Sequence, residues 1–425
     1  MAEAIEPSAL HPALPREALA AAWRRVRASS EALTEGLSAE DQALQSMPDA
    51  SPTKWQLGHT TWFFETLVLM PHLPGYRPPD ERFARLFNSY YESLGPRHPR
   101  PQRGLLSRPS LDEVWAYRRH VDEAIEHLVA DGGAATWQVA APLLELGLHH
   151  EQQHQELMLT DLLHLFSLNP LAPVWRAAAP AQEQAATAPP RWHGVDAGLV
   201  EVGHGGSGFA FDNEGPRHRV FLPPFELADR LVSNAEYQAF IDDGGYREPR
   251  WWLSDGWATV QAQGWSAPPY WRDDGQQFTL HGLLPIDPAA PVAHLSGYEA
   301  AAYAAWAGAR LPTEFEWEAA AQVLGDDAQP TRYQLDHMIP CQPAPGRLSG
   351  ELWQWTSSAY APYPGFRPLP GPAAEYNGKF MINQLVLRGG SCATPPGHAR
   401  RTYRNFFPPA ARWQFSGLRL AREAR

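Results

Sequence analysis

The 425-residue sequence predicts a two-domain α+β protein, an N-terminal four-helix bundle followed by an irregular, loop-rich α+β domain. Three observations predict it. Apolar residues recur at helical spacing through the first 170 residues, an Ala/Pro-rich stretch without aliphatic anchors follows Trp175, and beyond it short β-prone runs alternate with Gly, Pro and Asp turns. The boundaries are 1–172 for the bundle, 173–190 for the linker and 191–425 for the second domain. At roughly 150 residues per domain the length suits two or three, and a 44% apolar content supplies each with a core.

Each element has its own signal. Leu19, Trp23, Val26, Leu33 and Leu37 step by threes, fours and sevens, as do Val114, Tyr117, Val121, Ile125 and Leu128, so each run buries one stripe. Ser110 with Glu113 reads as a capping box opening the second run, and Asp131-Gly132-Gly133 closes it. Helical stretches at 53–70 and 142–168 bring the count to four, and facing helices of such a bundle can carry a metal site in their core. In the second domain, Arg219-Val-Phe-Leu222 and Leu385-Val-Leu-Arg388 read as strands and 296–308 as the one clear helix. No fixed-period repeat is visible, which argues against a propeller or solenoid.

Composition narrows the function. A net charge of −12 without a Lys/Arg-rich run lacks the footprint of a nucleic-acid binder, so small molecules are the expected partners. Two cysteines, Cys341 and Cys392, cannot build a disulfide framework and read as buried free thiols. The N-terminus Met1-Ala-Glu-Ala-Ile-Glu6 lacks the basic and apolar regions of a secretory leader, and no apolar run approaches the roughly 18 residues of a membrane span. A cytoplasmic protein is expected.

The chemistry concentrates in histidines. His150 and His154 stand at i and i+4 within a helical pattern, so both imidazoles share one face and can grip one ion. The same letters fit the zinc-protease signature His-Glu-x-x-His, in which Glu151 would be the general base, but no metzincin continuation follows. His59, in an aromatic-rich helix, reads alone as a core histidine; on a facing helix it would complete a three-nitrogen set with open positions. Imidazole suits zinc, copper, nickel and iron alike, so ligand type does not choose the metal. Gly203-His-Gly-Gly-Ser-Gly208 satisfies a dinucleotide fingerprint but precedes no amphipathic helix, and reads as a loop.

An ordered series of motifs covers nearly the whole chain: Ser51-Pro-Thr-Lys-Trp55, His59-Thr-Thr-Trp-Phe-Phe-Glu65, Phe87-Asn-Ser-Tyr-Tyr91, Arg103-Gly-Leu-Leu-Ser-Arg-Pro109 and His149-His-Glu-Gln-Gln-His-Gln-Glu156, then Phe211-Asp-Asn-Glu214, Trp306-Ala-Gly-Ala-Arg-Leu-Pro-Thr-Glu314, Glu375-Tyr-Asn-Gly-Lys-Phe-Met381, Arg388-Gly-Gly-Ser391, Tyr403-Arg-Asn-Phe-Phe-Pro408 and Gly417-Leu-Arg-Leu420. The chain thereby resembles the ergothioneine-biosynthesis sulfoxide synthases of the EgtB type, which join a DinB-like bundle to a formylglycine-generating-enzyme-like domain of C-type-lectin-like fold. The resemblance implies a mononuclear non-haem Fe(II) held by His59, His150 and His154, with O2 as co-substrate, joining a chalcogen donor to imidazole C2 of hercynine. It implies that Gln153 approaches the hercynine imidazole and Asn405 its carboxylate. Phe406, Phe407, Trp413 and Phe415 lie close to Asn405 in sequence and offer faces for a quaternary ammonium, although ordinary core is the alternative reading. Tyr90 and Tyr91 match a tyrosine pair of one family branch, where a phenol near the iron supplies a proton or electron.

The donor follows from departures. Relatives that use γ-glutamylcysteine carry an acid where Phe407 stands, so a smaller donor is implied, and Arg100 and Arg103 match positions near the donor site that can hold a carboxylate. Gln56 and Gly58 stand where many relatives have His and Ala, and Ser296-Gly-Tyr-Glu-Ala-Ala301 also departs. These changes favour the related selenoneine synthases of the SenA type, which take a selenosugar, over a sulfur branch using cysteine or a related thiol. Two other readings are a zinc-dependent thiol transferase, active without dioxygen, and a sugar-binding module with a merely structural metal.

Overall fold

The computed structural model describes residues 14–177, 188–196, 198–326, 333–342 and 346–424. They pack as two compact units. The first comprises the described parts of Met1–Leu168 with Gly206–Asp212 and Arg367–Lys379; the second comprises the described parts of Asn169–Gly205, Asn213–Phe366 and Phe380–Arg425. No helix among the described residues is long and apolar enough to cross a membrane.

The first unit is built on four helices, Arg16–Ala32, Thr53–Phe64, Leu111–Asp131 and Ala134–Ser167. Arg16–Ala32 and Thr53–Phe64 each pack on Ala134–Ser167 and on Leu111–Asp131. Arg16–Ala32 buries Leu19, Trp23 and Val26 as its stripe requires, but it ends before Leu33, and Gly36 at φ +81° turns the chain so that Leu37 lies outside the helix. Ser110 and Glu113 form the expected capping box. Thr53–Phe64 buries all twelve residues, as a helix enclosed on every side must, and continues as a π-turn at Glu65–Leu69. Glu65 there accepts from Tyr76 Oη (2.5 Å) and Tyr117 Oη (2.7 Å). The fourth helix starts at Ala134, eight residues before the expected Pro142. Proline removes one helical N–H and ordinarily kinks or ends a helix, yet Ala140, Ala141, Leu143 and Leu144 are all buried around it, so packing overrides the local signal.

A buried ion network pins this helix. Glu151 accepts from Arg118 (2.7 Å), Arg27 (2.8 Å) and Ser30 Oγ (2.6 Å), and Asp122 pairs with Arg27 (2.6 Å). Burial opposes the Glu151 charge, but the Arg118 and Arg27 guanidiniums and the Ser30 hydroxyl hold its carboxyl down to about 2. Gln155, one turn on, donates to Val26 O (2.8 Å) and Ser30 Oγ (2.9 Å).

In the second unit, Trp192–Val195, Phe225–Ala228 and Ala421–Glu423 form an antiparallel sheet in that order. A second sheet has the order Ser416–Gly417, Trp353–Ala359, Leu385–Arg388, Asn405–Phe407, its first pairing parallel and the others antiparallel. Trp317, Phe225, Leu227 and Leu222 centre the core. The helix at Gly297–Trp306 matches expectation, but Asn234–Asp242, Ser254–Gln263 and Glu314–Leu324 are helical as well. Two of these carry capping boxes legible in the sequence, Ser233 with Glu236 and Thr313 with Glu316; their short length concealed the 3.6-residue period. Most of the 173–190 linker lies outside the described residues, and Trp175 at its start is buried, its N–H donating to Leu280 O (2.9 Å). Cys341 and Cys392 are buried, and Cys341 Sγ donates to Glu351 Oε2 (3.2 Å).

Replacing Glu151 with Leu leaves two buried guanidiniums with one carboxylate. The expected cost is about 3–5 kcal/mol, measured as a lower urea midpoint with unchanged slope.

Candidate metal centre

Two helices of the first unit deliver the histidines. His59 projects from Thr53–Phe64, and His150 and His154 sit one turn apart on Ala134–Ser167. One ligand nitrogen from each lies within 4.8 Å of the others; His59 and His150 are buried, and His154 is partly exposed. His59 stacks between Trp55 (4.8 Å) and Trp62 (5.5 Å), and His150 stacks on Phe63 (4.5 Å).

Hydrogen bonds fix what these rings can do. His59 Nδ1 lies 2.6 Å from Phe87 O, which can only accept, so Nδ1 carries the proton and Nε2 is bare. That bare nitrogen faces His150 Nε2 at 3.1 Å. His150 Nδ1 is buried with no hydrogen-bond partner. Burial, then the neighbouring His150, pushes His59 well below its ordinary value; burial pushes His150 down to about 3, and burial with His150 and His59 lowers His154. Three neutral imidazoles with converging lone pairs fit a divalent first-row metal, and a three-nitrogen set leaves positions for substrates. Nitrogen donors alone do not select iron among such metals.

Glu151, the general base of the zinc-protease reading, spends its carboxylate on Arg27, Arg118 and Ser30 inside the bundle. The structure thus gives the His-Glu-x-x-His letters a ligand pair and a structural anchor.

Two segments from the later part of the sequence join this unit and were not assigned to the site by sequence. Tyr376 sets its ring edge-on to His150 at 5.8 Å and donates its hydroxyl to Gln153 Oε1. Phe211 stacks on Tyr376 at 5.4 Å, and Phe209 stacks on His149 at 3.8 Å. Asn377 donates to Asp212 (2.6 Å), Glu375 accepts from the N–H groups of Glu92 (3.0 Å) and Ser93 (2.8 Å), and Lys379 reaches Tyr90 O. The Glu375-Tyr-Asn-Gly motif carried the only signal for Tyr376.

Tyr90 and Tyr91 stack at 4.6 Å with hydroxyls 3.5 Å apart, and Tyr91 leans on Trp62 at 5.5 Å. Burial raises both phenols, and Tyr376 raises Tyr91 further, so they stay protonated at neutral pH. Arg103 is buried with its guanidinium 3.3 Å over Trp55, donating to Ser51 Oγ (2.9 Å) and Ser89 Oγ (3.0 Å). Among the described residues it has no salt bridge to a carboxylate, and burial, then Arg100, pulls it down to about 8. Arg100 is exposed and donates to Asp49 O. Gly58 has a physical reason: a Cβ there would lie 2.2 Å from the Phe87 ring, whose backbone carbonyl holds His59.

The remaining site residues lie in the second unit. On strand Asn405–Phe407, Asn405 and Phe407 share one face and Phe406 takes the other. Phe406 stacks on Tyr360 at 4.0 Å, Phe407 meets Trp413 edge-on at 5.7 Å, and buried Phe415 packs against His294 at 5.0 Å. Asn405 Oδ1 accepts from Phe406 N (2.9 Å). A Cβ at Gly297 would come 3.0 Å from Leu385 and 3.3 Å from Trp355, so that departure sits against packed side chains.

Comparison with known proteins agrees with this architecture. The DinB superfamily model matches residues 22–158, and the sulfatase-modifying factor enzyme 1-like domain matches 177–343 and 347–424. A hercynine oxygenase of Mycolicibacterium thermoresistibile is 34% identical over 411 residues, 88% of this chain and 88% of the relative. One from Mycobacterium tuberculosis is 34% identical over 435 residues, 95% of this chain and 98% of the relative. This chain belongs to the hercynine oxygenase family. It is therefore an oxygen-dependent oxidoreductase with a DinB-like bundle and a formylglycine-generating-enzyme-like domain. Ergothioneine biosynthesis protein 1 of Schizosaccharomyces pombe is more distant, 26% identical over 232 residues, 50% of this chain and 28% of the relative.

Two outcomes follow for this family member. His150→Ala should lower Fe(II) or Co(II) affinity by more than the roughly 10–100-fold that loss of an outer partner costs, measured by chelator competition. In the metal-free chain the three histidines bind protons more weakly folded than unfolded, so the stability tied to them is complete above the ordinary value of 6.5 and declines as pH falls below it. Unfolding midpoints of the metal-free protein between pH 8 and pH 5 check the sign.

Proposed function

We propose that this chain is a non-haem Fe(II) enzyme that uses dioxygen to join a chalcogen donor to imidazole C2 of hercynine, working in selenoneine or ergothioneine biosynthesis in the cytoplasm. The observation that carries the reading is the three neutral imidazoles of His59, His150 and His154 meeting beside a protonated phenol, in a chain of hercynine oxygenase descent. Bound iron would supply activation of dioxygen. The chain's own residues do the rest. Gln153, held by the Tyr376 hydroxyl, offers an amide to the hercynine imidazole, while Asn405 addresses its carboxylate, and Phe407 and Trp413 supply apolar faces suited to its trimethylammonium group; Phe406, stacked on Tyr360, and buried Phe415 belong to the core, the alternative reading of that cluster. Tyr376 donates its hydroxyl proton to Gln153 Oε1, and burial keeps Tyr90 and Tyr91 protonated, so a phenol proton stands near the ligands.

The selenosugar is the favoured donor. Phe407 offers no acid for a glutamyl amine, and the Trp-rich second unit offers platforms for a sugar ring. A second reading, cysteine as donor, is favoured by one observation: Arg103 is a buried guanidinium without a carboxylate partner among the described residues, close enough to lower both His59 and His154, and it suits a donor carboxylate.

Fe(II)-reconstituted protein exposed to air with hercynine and either 1-seleno-glucose, cysteine or γ-glutamylcysteine is expected to yield product with the selenosugar alone, read by mass spectrometry. Product with a thiol alone moves it to the sulfur branch. Dioxygen-independent product revives the zinc-dependent transferase, and ligand binding without turnover the sugar-binding module. Tyr376→Phe is expected to lower kcat by about 10²–10⁴-fold with Fe(II) affinity retained; an equal loss in Y90F or Y91F instead would move the proton to that phenol.

A further inference from the structure

The third ligand is held differently from the first. His154 Nδ1 lies 3.1 Å from Gln56 Oε1. The orientation of that amide is decided by its other end: Gln56 Nε2 faces Asp161 Oδ2 at 2.9 Å and Ser51 O at 3.3 Å. Both are acceptors, so only the NH2 group can point at them; a flipped amide would set oxygen against oxygen twice. The oxygen must then face His154, whose Nδ1 has to carry the proton, and Nε2 is left bare for a metal. The backbone N–H of Ser51 donates to the same Asp161 oxygen at 2.9 Å, and Ser51 Oγ accepts from Arg103 (2.9 Å).

The arrangement follows from helical spacing. Gln56 stands three residues before His59, and Asp161 seven residues after His154, so each helix presents a ligand and a supporting group on one face. Gln56 and Asp161 are both buried. A carboxylate touching a ligand imidazole raises its basicity. Here a neutral amide stands between the Asp161 charge and the ring.

Resting on the metal-dependent reading above, we infer that Gln56 is a positioning residue that locks His154 in the Nδ1–H tautomer, its own amide oriented by Asp161, and presents a neutral acceptor to this ligand. A purely structural Gln56 would tie Ser51 to the long helix and leave metal binding unmoved when replaced.

Full-length wild type, Gln56→Met, Asp161→Asn and Asp161→Leu are compared for Co(II) and Fe(II) affinity by chelator competition and for the Co(II) ligand-field bands. Q56M is expected to lose roughly 10–100-fold in affinity and shift the bands. D161N keeps an acceptor for Gln56 Nε2 and is expected to stay within a few-fold of wild type, D161L to behave as Q56M, and the double variant Q56M/D161L to be no worse than Q56M. Wild-type affinity and unchanged bands in Q56M would overturn the inference while leaving the metal site standing, and D161N as impaired as D161L would overturn the orienting role of Asp161. Failure of the wild type to bind either metal would overturn the metal reading and this inference together. Should Q56M not fold, long-range proton–nitrogen NMR of the Zn(II)-loaded wild type decides: a protonated Nδ1 with metal-bound Nε2 on His154 supports the inference, and the reverse overturns it.

Discussion

The site depends on how the Ala134–Ser167 helix is held. Four residues of one turn and a half serve opposite purposes: His150 and His154 turn toward His59, while Glu151 and Gln155 turn toward Arg27, Arg118 and Ser30. An α-helix separates such faces by its 3.6-residue period, so a single stretch of chain carries both the ligands and their anchor. Rotating this helix enough to relieve the buried ion network would also carry the imidazoles away from His59. The charge that is costly to bury is therefore the element that fixes the angle of the metal ligands.

Around the ligands the protein works with neutral groups. Backbone carbonyl Phe87 O holds His59, and the Gln56 amide holds His154, while burial keeps all three rings unprotonated. Aromatic rings on His59 and His150 exclude water from their faces without competing for the nitrogens. A nearby cation, buried Arg103, is spread over serine hydroxyls and the Trp55 ring, a setting that leaves it able to take an anionic group.

Tyr376 shows how the domain order of the sequence differs from the assembly of a site. Its segment is separated from His150 by more than two hundred residues, yet it joins the first unit through Glu375, Asn377 and Lys379. Those contacts are to the N–H groups of Glu92 and Ser93, the carbonyl of Tyr90 and Asp212, so hydrogen bonds fasten the loop alongside the Tyr376 ring contacts. No periodicity marks a segment of that kind.

The sequence by itself determined the bundle, because amphipathic stripes and the Ser110/Glu113 capping box are local patterns that hydrophobic burial obliges the chain to obey. It determined the His150/His154 pair as well, since i and i+4 share a helical face whatever surrounds them. Ordered motifs added His59 and the family. Four features escaped: the extension of the fourth helix through Pro142, which burial around it settles, and the helices at 234–242, 254–263 and 314–324, too short to show a 3.6-residue period. Only the tertiary structure decided the role of Glu151, the tautomers of His59 and His154, and the arrival of Tyr376. Each of these depends on a partner remote in the chain, Arg118, Phe87, Gln56 or Gln153, and a hydrogen bond between remote groups leaves no spacing in the sequence from which to read it.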